Sequence, residues 1–194
     1  TAFQGGLMST TALYGRVAMT APSTTAQNEY GWLGQFPRVR EWIGERVVNS
    51  ISTNAYTLKN KTFELTVDVK QEDIEDDNVG IYGPMFTEMG RSVATFPDEL
   101  VWPMLPGGFT NLCYDGRPFF DAQHPVLNAA GATVSVSNTG GGSGAAWYLL
   151  DVSRAIKPLI YQTRRAFDMK RMDAPTDEIM FREGRARYGT DGRA

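Results

Sequence analysis

Apolar and polar positions alternate most cleanly near the middle of the first half of the chain. Phe63, Leu65, Val67 and Val69 interleave with Glu64, Thr66, Asp68 and Lys70. A period of two over eight residues predicts a strand with one apolar face. Upstream, Val47-Val48 and Ala55-Tyr56-Thr57-Leu58 predict a second, rougher strand, with Lys59-Asn60-Lys61 between the two as an exposed turn. Together they read as a long β-hairpin over residues 47–70. A hairpin of two strands is marginal in water, so this one needs a partner surface. Its open edges also need pairing. Phe63, Leu65, Val67 and Val69 are expected to pack on a neighbour or on the chain's own helix. A charge at Val67 is then expected to block assembly and leave the monomer soluble.

The period changes after residue 78. Ile81, Met85, Met89 and Val93, with Tyr82, Phe86 and Gly90 alongside, fall at helical spacing and predict a helix over 79–96. Pro97 is expected to restart or kink it, with Asp98-Glu99 in the new first turn. Leu100-Val101-Trp102 carries it to Pro103, and Pro106-Gly107-Gly108 stops it. The acidic run Glu72-Asp73-Ile74-Glu75-Asp76-Asp77 stands just ahead, where carboxylates suit the positive end of a helix. This longest helical element reads as a spine.

The remaining pattern is weaker. Residues 1–30 are rich in Thr, Ala, Ser and Gly and read as an extended arm, with a weakly patterned short helix over 7–17. The stretch 20–26 has little reason to pack. Gly31-Trp32-Leu33-Gly34-Gln35-Phe36-Pro37 reads as a packed turn, and Trp42-Ile43 is flanked by charges. Residues 107–146 are loop-rich. Tyr114-Asp115-Gly116-Arg117-Pro118 is a turn, and the aromatic segment from Phe119 ends in another at His124-Pro125. Residues 133–137 alternate as a short strand, and Gly140-Gly141-Gly142-Ser143-Gly144 is a flexible connection. Buried strands are expected at 147–151 and 158–162, with a third at 178–182. Residues 188–194 read as a turn, which does not look like a finished terminus. No internal repeat is present.

Composition narrows the function classes. Hydrophobic residues make up 42% and charged residues 21%, enough to fill a core in one domain or two small ones. No apolar run approaches the roughly 18 residues of a membrane-spanning helix. No charged segment followed by an apolar core stands near Thr1. The single Cys113 cannot form an internal disulfide, and the single His124 excludes sites needing two histidines. A net charge of −3 gives no general pull on nucleic acid. Of the 19 basic residues 14 are Arg, which favours interfaces. Residues 1–150 hold 9 basic and 15 acidic groups, and residues 151–194 hold 10 and 7. That polarity suits head-to-tail alignment of subunits.

Candidate chemistry is sparse. The acidic run lacks the spacing of a calcium loop. The glycine run lacks the Gly-Lys-Ser/Thr of a phosphate loop. Cys113 and His124, with Asp115 and Asp121 between them, form a nucleophile pair only if folding brings them into hydrogen-bond reach. His124 reads better as a turn residue bonded to nearby backbone. Arg182, Arg185, Arg187 and Arg193 lack the interleaved aromatics of a nucleic-acid reader, and the acidic face of a neighbour would pair them. No cofactor and no metal site are expected.

Many short segments in one order carry a resemblance. They include Gly31-Trp32-Leu33-Gly34, Phe36-Pro37, Arg40-Glu41-Trp42-Ile43-Gly44 and Asn60-Lys61-Thr62-Phe63-Glu64. Glu75-Asp76-Asp77-Asn78, Gly80-Ile81-Tyr82, Glu88-Met89-Gly90 and Pro97-Asp98-Glu99-Leu100 follow. Cys113-Tyr114-Asp115-Gly116, Phe119-Phe120-Asp121, His124-Pro125, Trp147-Tyr148-Leu149-Leu150-Asp151 and Lys157-Pro158-Leu159-Ile160-Tyr161-Gln162 complete the series. The chain thereby resembles the Mu-like phage major head subunit family, capsid proteins of tailed bacteriophages or prophages.

The resemblance implies an α+β chain with the tailed-phage major capsid protein fold. By it, residues 1–46 hold the N-terminal arm and packed turn, and 47–78 the extended loop (E-loop) β-hairpin and acidic connector. Residues 79–106 are the spine helix of the peripheral domain, and 107–194 the start of the axial domain with its return strands. Family members are usually longer, so that axial domain is expected to be incomplete here. The implied function is a non-enzymatic major capsid protein that self-assembles, as hexamers and pentamers, into an icosahedral shell around double-stranded DNA. DNA lies on the inner face, and scaffold, protease, portal and decoration proteins are further partners. Assembly takes place in the host bacterial cytoplasm, with no membrane, and the product is the virion capsid. Subunit-interface candidates are Trp32, Phe36, Trp42, Tyr56, Lys59, Lys61, Phe63, Leu65, Val67, Val69, Arg182, Arg185 and Arg187. The alternatives are a shell protein of a bacterial nanocompartment or gene-transfer agent, and a Cys/His hydrolase.

Overall fold

The computed structural model describes residues 1–30, 56–77, 80–128 and 132–194. Trp32, Phe36, Trp42 and the expected strand start at Val47-Val48 lie outside the described residues. The elements are α1 (Ala2–Ser9), β1 (Ala18–Pro22), β2 (Gln27–Tyr30), β3 (Tyr56–Lys59), β4 (Thr62–Lys70), α2 (Gln71–Glu75) and α3 (Tyr82–Val101). They continue with α4 (Met104–Gly107), β5 (His124–Leu127), β6 (Thr133–Val136), β7 (Leu159–Thr163), β8 (Arg165–Met172), α5 (Glu178–Glu183) and β9 (Arg185–Arg193). Two compact units result. The first joins Thr1–Ala26, Asn60–Trp102 and Leu150–Ala194, and the second joins Gln27–Lys59 and Pro103–Leu149.

The first unit is built on α3. Met89, Gly90 and Val93 are buried, with Phe86 one turn earlier, so the helical spacing read from the sequence marks the face that packs. The Asp77 carboxylate accepts from the backbone N–H of Gly80 (2.8 Å) and Ile81 (3.1 Å) at the start of the helix. The helix neither stops nor restarts at Pro97, which lies inside it. Contacts on both sides hold it through. The Phe96 ring lies edge-on to Phe63 (4.8 Å) and 5.8 Å from Phe167. Asp98 takes the backbone N–H of Leu13 (2.9 Å) and of Tyr14, together with the Trp102 indole N–H (3.3 Å).

The expected N-terminal arm is instead a helix with a strand behind it. α1 lies against α3 at a spacing only glycine permits. A Cβ on Gly6 would fall 1.9 Å from the Thr87 carbonyl oxygen, and one on Gly90 would fall 2.1 Å from that of Phe3. That approach buries Phe3 to 1% exposure among Met89 and Val93. β1 then runs parallel to β7, pairing Ala18 with Leu159 and Ala21 with Gln162. The first part of the stretch 20–26 therefore packs, with Ala21 and Ser23 buried and residues 24–26 exposed. Its small side chains hid it, because an alanine strand shows little alternation.

The expected hairpin does not form as read. β3 pairs with β2, Tyr56 opposite Tyr30, and not with β4. β4 pairs with β9 throughout, from Thr62 opposite Arg193 to Lys70 opposite Arg185, and β8 lies on the far side of β9. Period two fixes which side chains share a face, but it does not choose the partner strand. The β4 apolar face is satisfied at home: Leu65 and Val67 pack on the Phe3–Met89–Val93 cluster, and Val69 is buried. A charge at Val67 therefore tests folding before it tests assembly.

Three C-terminal readings also change. Residues 188–193 form the central strand β9 instead of a turn. Gly192 made this stretch look like a turn, yet its bare Cα leaves room for the Phe167 ring, whose Cδ2 would lie 2.7 Å from a Cβ there. Residues 178–182 are helical, as α5, closed by Gly184 at φ +61° with its N–H on the Met180 carbonyl. The expected strand at 158–162 is present as β7.

The second unit has less regular structure. β5 pairs with β6, so His124 sits in a strand and not in a turn. Residues 147–151 are not a buried strand: Trp147 is 95% and Leu149 98% exposed. Between them the Tyr148 ring joins Phe120 (5.4 Å) and Phe109 (6.4 Å), and Phe119 lies edge-on to Phe120 (4.9 Å).

Candidate assembly surface

The outer face of the β4–β9–β8 sheet carries charge. On β4, Glu64, Asp68 and Lys70 alternate with the apolar positions, and they stand opposite Asp191, Arg187 and Arg185 of β9. Asp68 is shared by two cations. Arg187 grips it through two N–H groups (Nε to Oδ1 2.6 Å, Nη2 to Oδ2 2.7 Å), and Arg185 approaches to 3.8 Å. Those donors, the Arg187 hydrogen bond first, hold the Asp68 carboxyl below its ordinary value. Asp191 likewise takes both Arg165 and Lys170. Arg182 pairs with Glu178 one helical turn away (3.3 Å). Arg182, Arg185 and Arg187 of the C-terminal cluster thus find carboxylates within this chain.

The other predicted interface residues are spread over both units. Tyr56 and Lys59 lie on β3 in the second unit. Lys61 directly precedes β4 and Phe63 lies on it, in the first unit, where the Lys61 backbone bonds Ala194 in both directions. Between them Asn60 anchors a buried polar knot that sequence reasoning missed. Its amide donates to Ser23 Oγ and the Thr25 carbonyl (both 2.8 Å), its backbone N–H donates to Ala26 (3.1 Å), and its Oδ1 accepts from Gln162 Nε2 (2.8 Å). With Ser23 and Gln162 each 6% exposed, this knot satisfies groups that would otherwise be costly to bury. Gly6, Gly90 and Asp98 were missed too. A glycine within the helical stripe at 90 was the visible signal for a close approach.

The hydrolase alternative finds no machinery. His124 Nδ1 lies 2.6 Å from Asp115 Oδ2, and no hydrogen bond links Cys113 Sγ to His124 among the described residues. Burial, aided by the Asp115 charge, pushes the Cys113 thiol up, which disfavours the thiolate a nucleophile needs. No group of three or more His, Cys, Asp or Glu fit to hold a metal occurs among the described residues. No helix among them is long and apolar enough to cross a membrane.

The family model of the Mu-like prophage major head subunit gpT matches residues 1–194. The chain belongs to this family. It is 45% identical to the major capsid protein of Escherichia phage Mu, an alignment covering 98% of this chain and 65% of that protein. It is 43% identical to the Mu-like prophage FluMu major head subunit of Haemophilus influenzae, covering 99% of this chain and 65% of the relative. The chain thus spans about two thirds of the length of these curated relatives. Among solved structures it resembles the subunit in the procapsid of bacteriophage JBD30, with a TM-score of 0.81 at 48% identity over 99% of this chain and 67% of that one. The subunit of the JBD30 capsid gives 0.69 at 41% identity, over 98% and 63%. The fold is the α+β fold of tailed-phage capsid proteins. Head subunits of this family are structural proteins, which favours a capsid subunit over the nanocompartment and hydrolase alternatives.

Proposed function

We propose that this chain forms the shell of a phage or prophage head by self-assembly, as hexamers and pentamers in a closed icosahedral particle around double-stranded DNA. The observation that carries this reading is the match of nearly the whole chain to the JBD30 procapsid subunit at a TM-score of 0.81. The β4 hairpin edge no longer supports it, because β4 is paired on one side and covered on its apolar face. Support comes instead from exposed apolar side chains in each unit: Phe181 at 84% exposure in the first, and Trp147 and Leu149 in the second. The two-stranded β2–β3 ribbon takes the role of crossing onto a neighbour. Assembly in the host cytoplasm, DNA on the inner face, and scaffold, protease, portal and decoration proteins as further partners belong to the same proposal. Many modest contacts between copies add up to a shell stronger than any one of them. Light scattering and electron microscopy of the purified chain test this. Rings, capsomers or shells are expected; a monodisperse monomer at every concentration reached would overturn the proposal.

A further inference from the structure

The three-stranded sheet of the first unit is polar along its strands. At one end β4 runs into α2, where Glu72, Asp73, Glu75 and Asp76 are exposed. None of these four takes a cation among the described residues, and Gln71 donates to Glu75 (2.7 Å). The cations standing nearest in the sheet are Lys70 and Arg185, and Arg185 is already engaged with Asp68. At the other end, where Thr62, Arg193 and Arg165 stand in one row across β4, β9 and β8, the excess is positive. Lys61, Arg164 and Arg165 are exposed there, and the buried Arg193 Nε has no acceptor. Asp191 answers Arg165 and Lys170. Lys61 and Arg164 have no carboxylate partner among the described residues. Eight strand steps of about 3.3 Å separate the two ends, or about 26 Å. No side chain of the same sheet spans that distance.

We propose that the acidic end of one subunit, Glu72 to Asp76, docks against the basic end, Lys61 with Arg164, of a second copy of this chain. The occupant follows from complementarity: each end lacks what the other supplies, and the two stand at opposite ends of one strand, β4. A contact between unlike ends is heterologous, the kind that closes into rings when the rotation permits. DNA fits the basic end less well. Asp168 and Asp191 oppose each other across the strands beside it and would repel phosphate, and DNA leaves the acidic end unanswered. The inference rests on the shell reading and adds which surfaces meet.

Charge reversal tests it. Glu72→Lys, Asp73→Lys, Glu75→Lys and Asp76→Lys together give the chain two basic ends, and Lys61→Glu with Arg164→Glu gives it two acidic ends. Circular dichroism melts check that each variant folds. Either reversal alone is expected to raise the concentration for half-assembly by about tenfold, as lost exposed pairs and new like-charge contacts add. All six substitutions in one chain restore unlike ends and are expected to return assembly to within about threefold of the starting value. Mixing the two single-end variants makes the same test without the sixfold variant. Lack of rescue in both formats, or unchanged assembly in the single-end variants, overturns the inference and leaves the shell reading standing. Loss of bound DNA with assembly unchanged in the Lys61→Glu, Arg164→Glu variant overturns it in favour of a phosphate contact. A starting chain that never assembles overturns both readings.

Discussion

The two units of this chain are stabilised in different ways. The first is held by apolar contact. α1, α3 and the inner face of the β4–β9–β8 sheet close on Phe3, Met89 and Val93, with the Phe63, Phe167 and Tyr188 rings set edge-on to Phe96 and Phe86. The second is held largely by side chains that bond their own loops. Asn138 receives the Asp121 N–H (2.9 Å) and donates to the Phe119 carbonyl (2.7 Å), Asp115 caps Arg117 (3.0 Å), and Asn128 caps Ala132 (3.0 Å). Among the described residues its apolar packing comes from Tyr30, Leu105 and one aromatic cluster, while Trp147 and Leu149 face outward. A unit that buries its apolar surface is complete alone. A unit that exposes it depends on what covers it.

Glycines break this comparison most sharply. In the first unit Gly90 is required by contact, since a Cβ would meet the Phe3 backbone at 2.1 Å. In the second, Gly144 has no atom within 4 Å of the same position and no positive φ. Gly90→Val is expected to drive α1 off α3 and cost more than about 3 kcal/mol, because backbone cannot yield as a side-chain tip can. Urea unfolding gives the loss. Hydrogen exchange is expected to show it confined to α1, α3 and the sheet, with the β5–β6 amides unchanged. Equal loss in both units would mean that the division is not energetic.

The same contrast explains what the sequence made legible. The α3 stripe and the β4 alternation were plain because one face of each is buried along its length. The partners were not. β4 reads identically whether β3 or β9 lies beside it, and β9 was disguised by Gly189 and Gly192, the second of which exists to admit the Phe167 ring. α5 carried signals that could have been read: Asp177 before it, Gly184 after it, and Glu178 and Arg182 four apart. Among the interface candidates, the Arg182, Arg185 and Arg187 cluster was visible as composition. Only the fold shows that Glu178 and Asp68 already pair with it. The polar knot around Asn60 joins residues 102 apart in sequence, beyond any local pattern.

A smaller effect separates charge from packing within the first unit. The Asp68 carboxyl lies below its ordinary value of 3.8 because Arg187 donates to it. A carboxyl lowered by folding stabilises the folded state above its unfolded value, and that gain is lost as pH falls through the folded one. The acid limb of the stability curve should therefore flatten in Asp68→Asn, with the wild-type and variant curves converging once pH has fallen through the lowered folded value. At neutral pH the variant is expected to lose under about 1 kcal/mol, since the pair is partly open to solvent. Thermal melts from pH 7 downward measure both. A full-sized loss that persists at low pH would mean that Asp68 acts through packing and not through its charge.

The least disruptive changes bear on the second unit. Gly144→Ala meets open space at an ordinary φ, so it removes freedom mainly from the unfolded chain and is expected to be neutral or stabilising by about 0.5 kcal/mol. Leu149→Ser changes a side chain that is 98% exposed and is expected to stay within about 0.5 kcal/mol in the isolated chain. Its effect should emerge only in assembled particles, where lost affinity would show as a higher concentration for half-assembly. A destabilised monomer would mean that the 145–150 segment is covered within the chain after all. An unchanged monomer with weakened particles would place Leu149 among the contacts between copies, and would show that the exposed apolar surface of this unit is a binding surface instead of a packing fault.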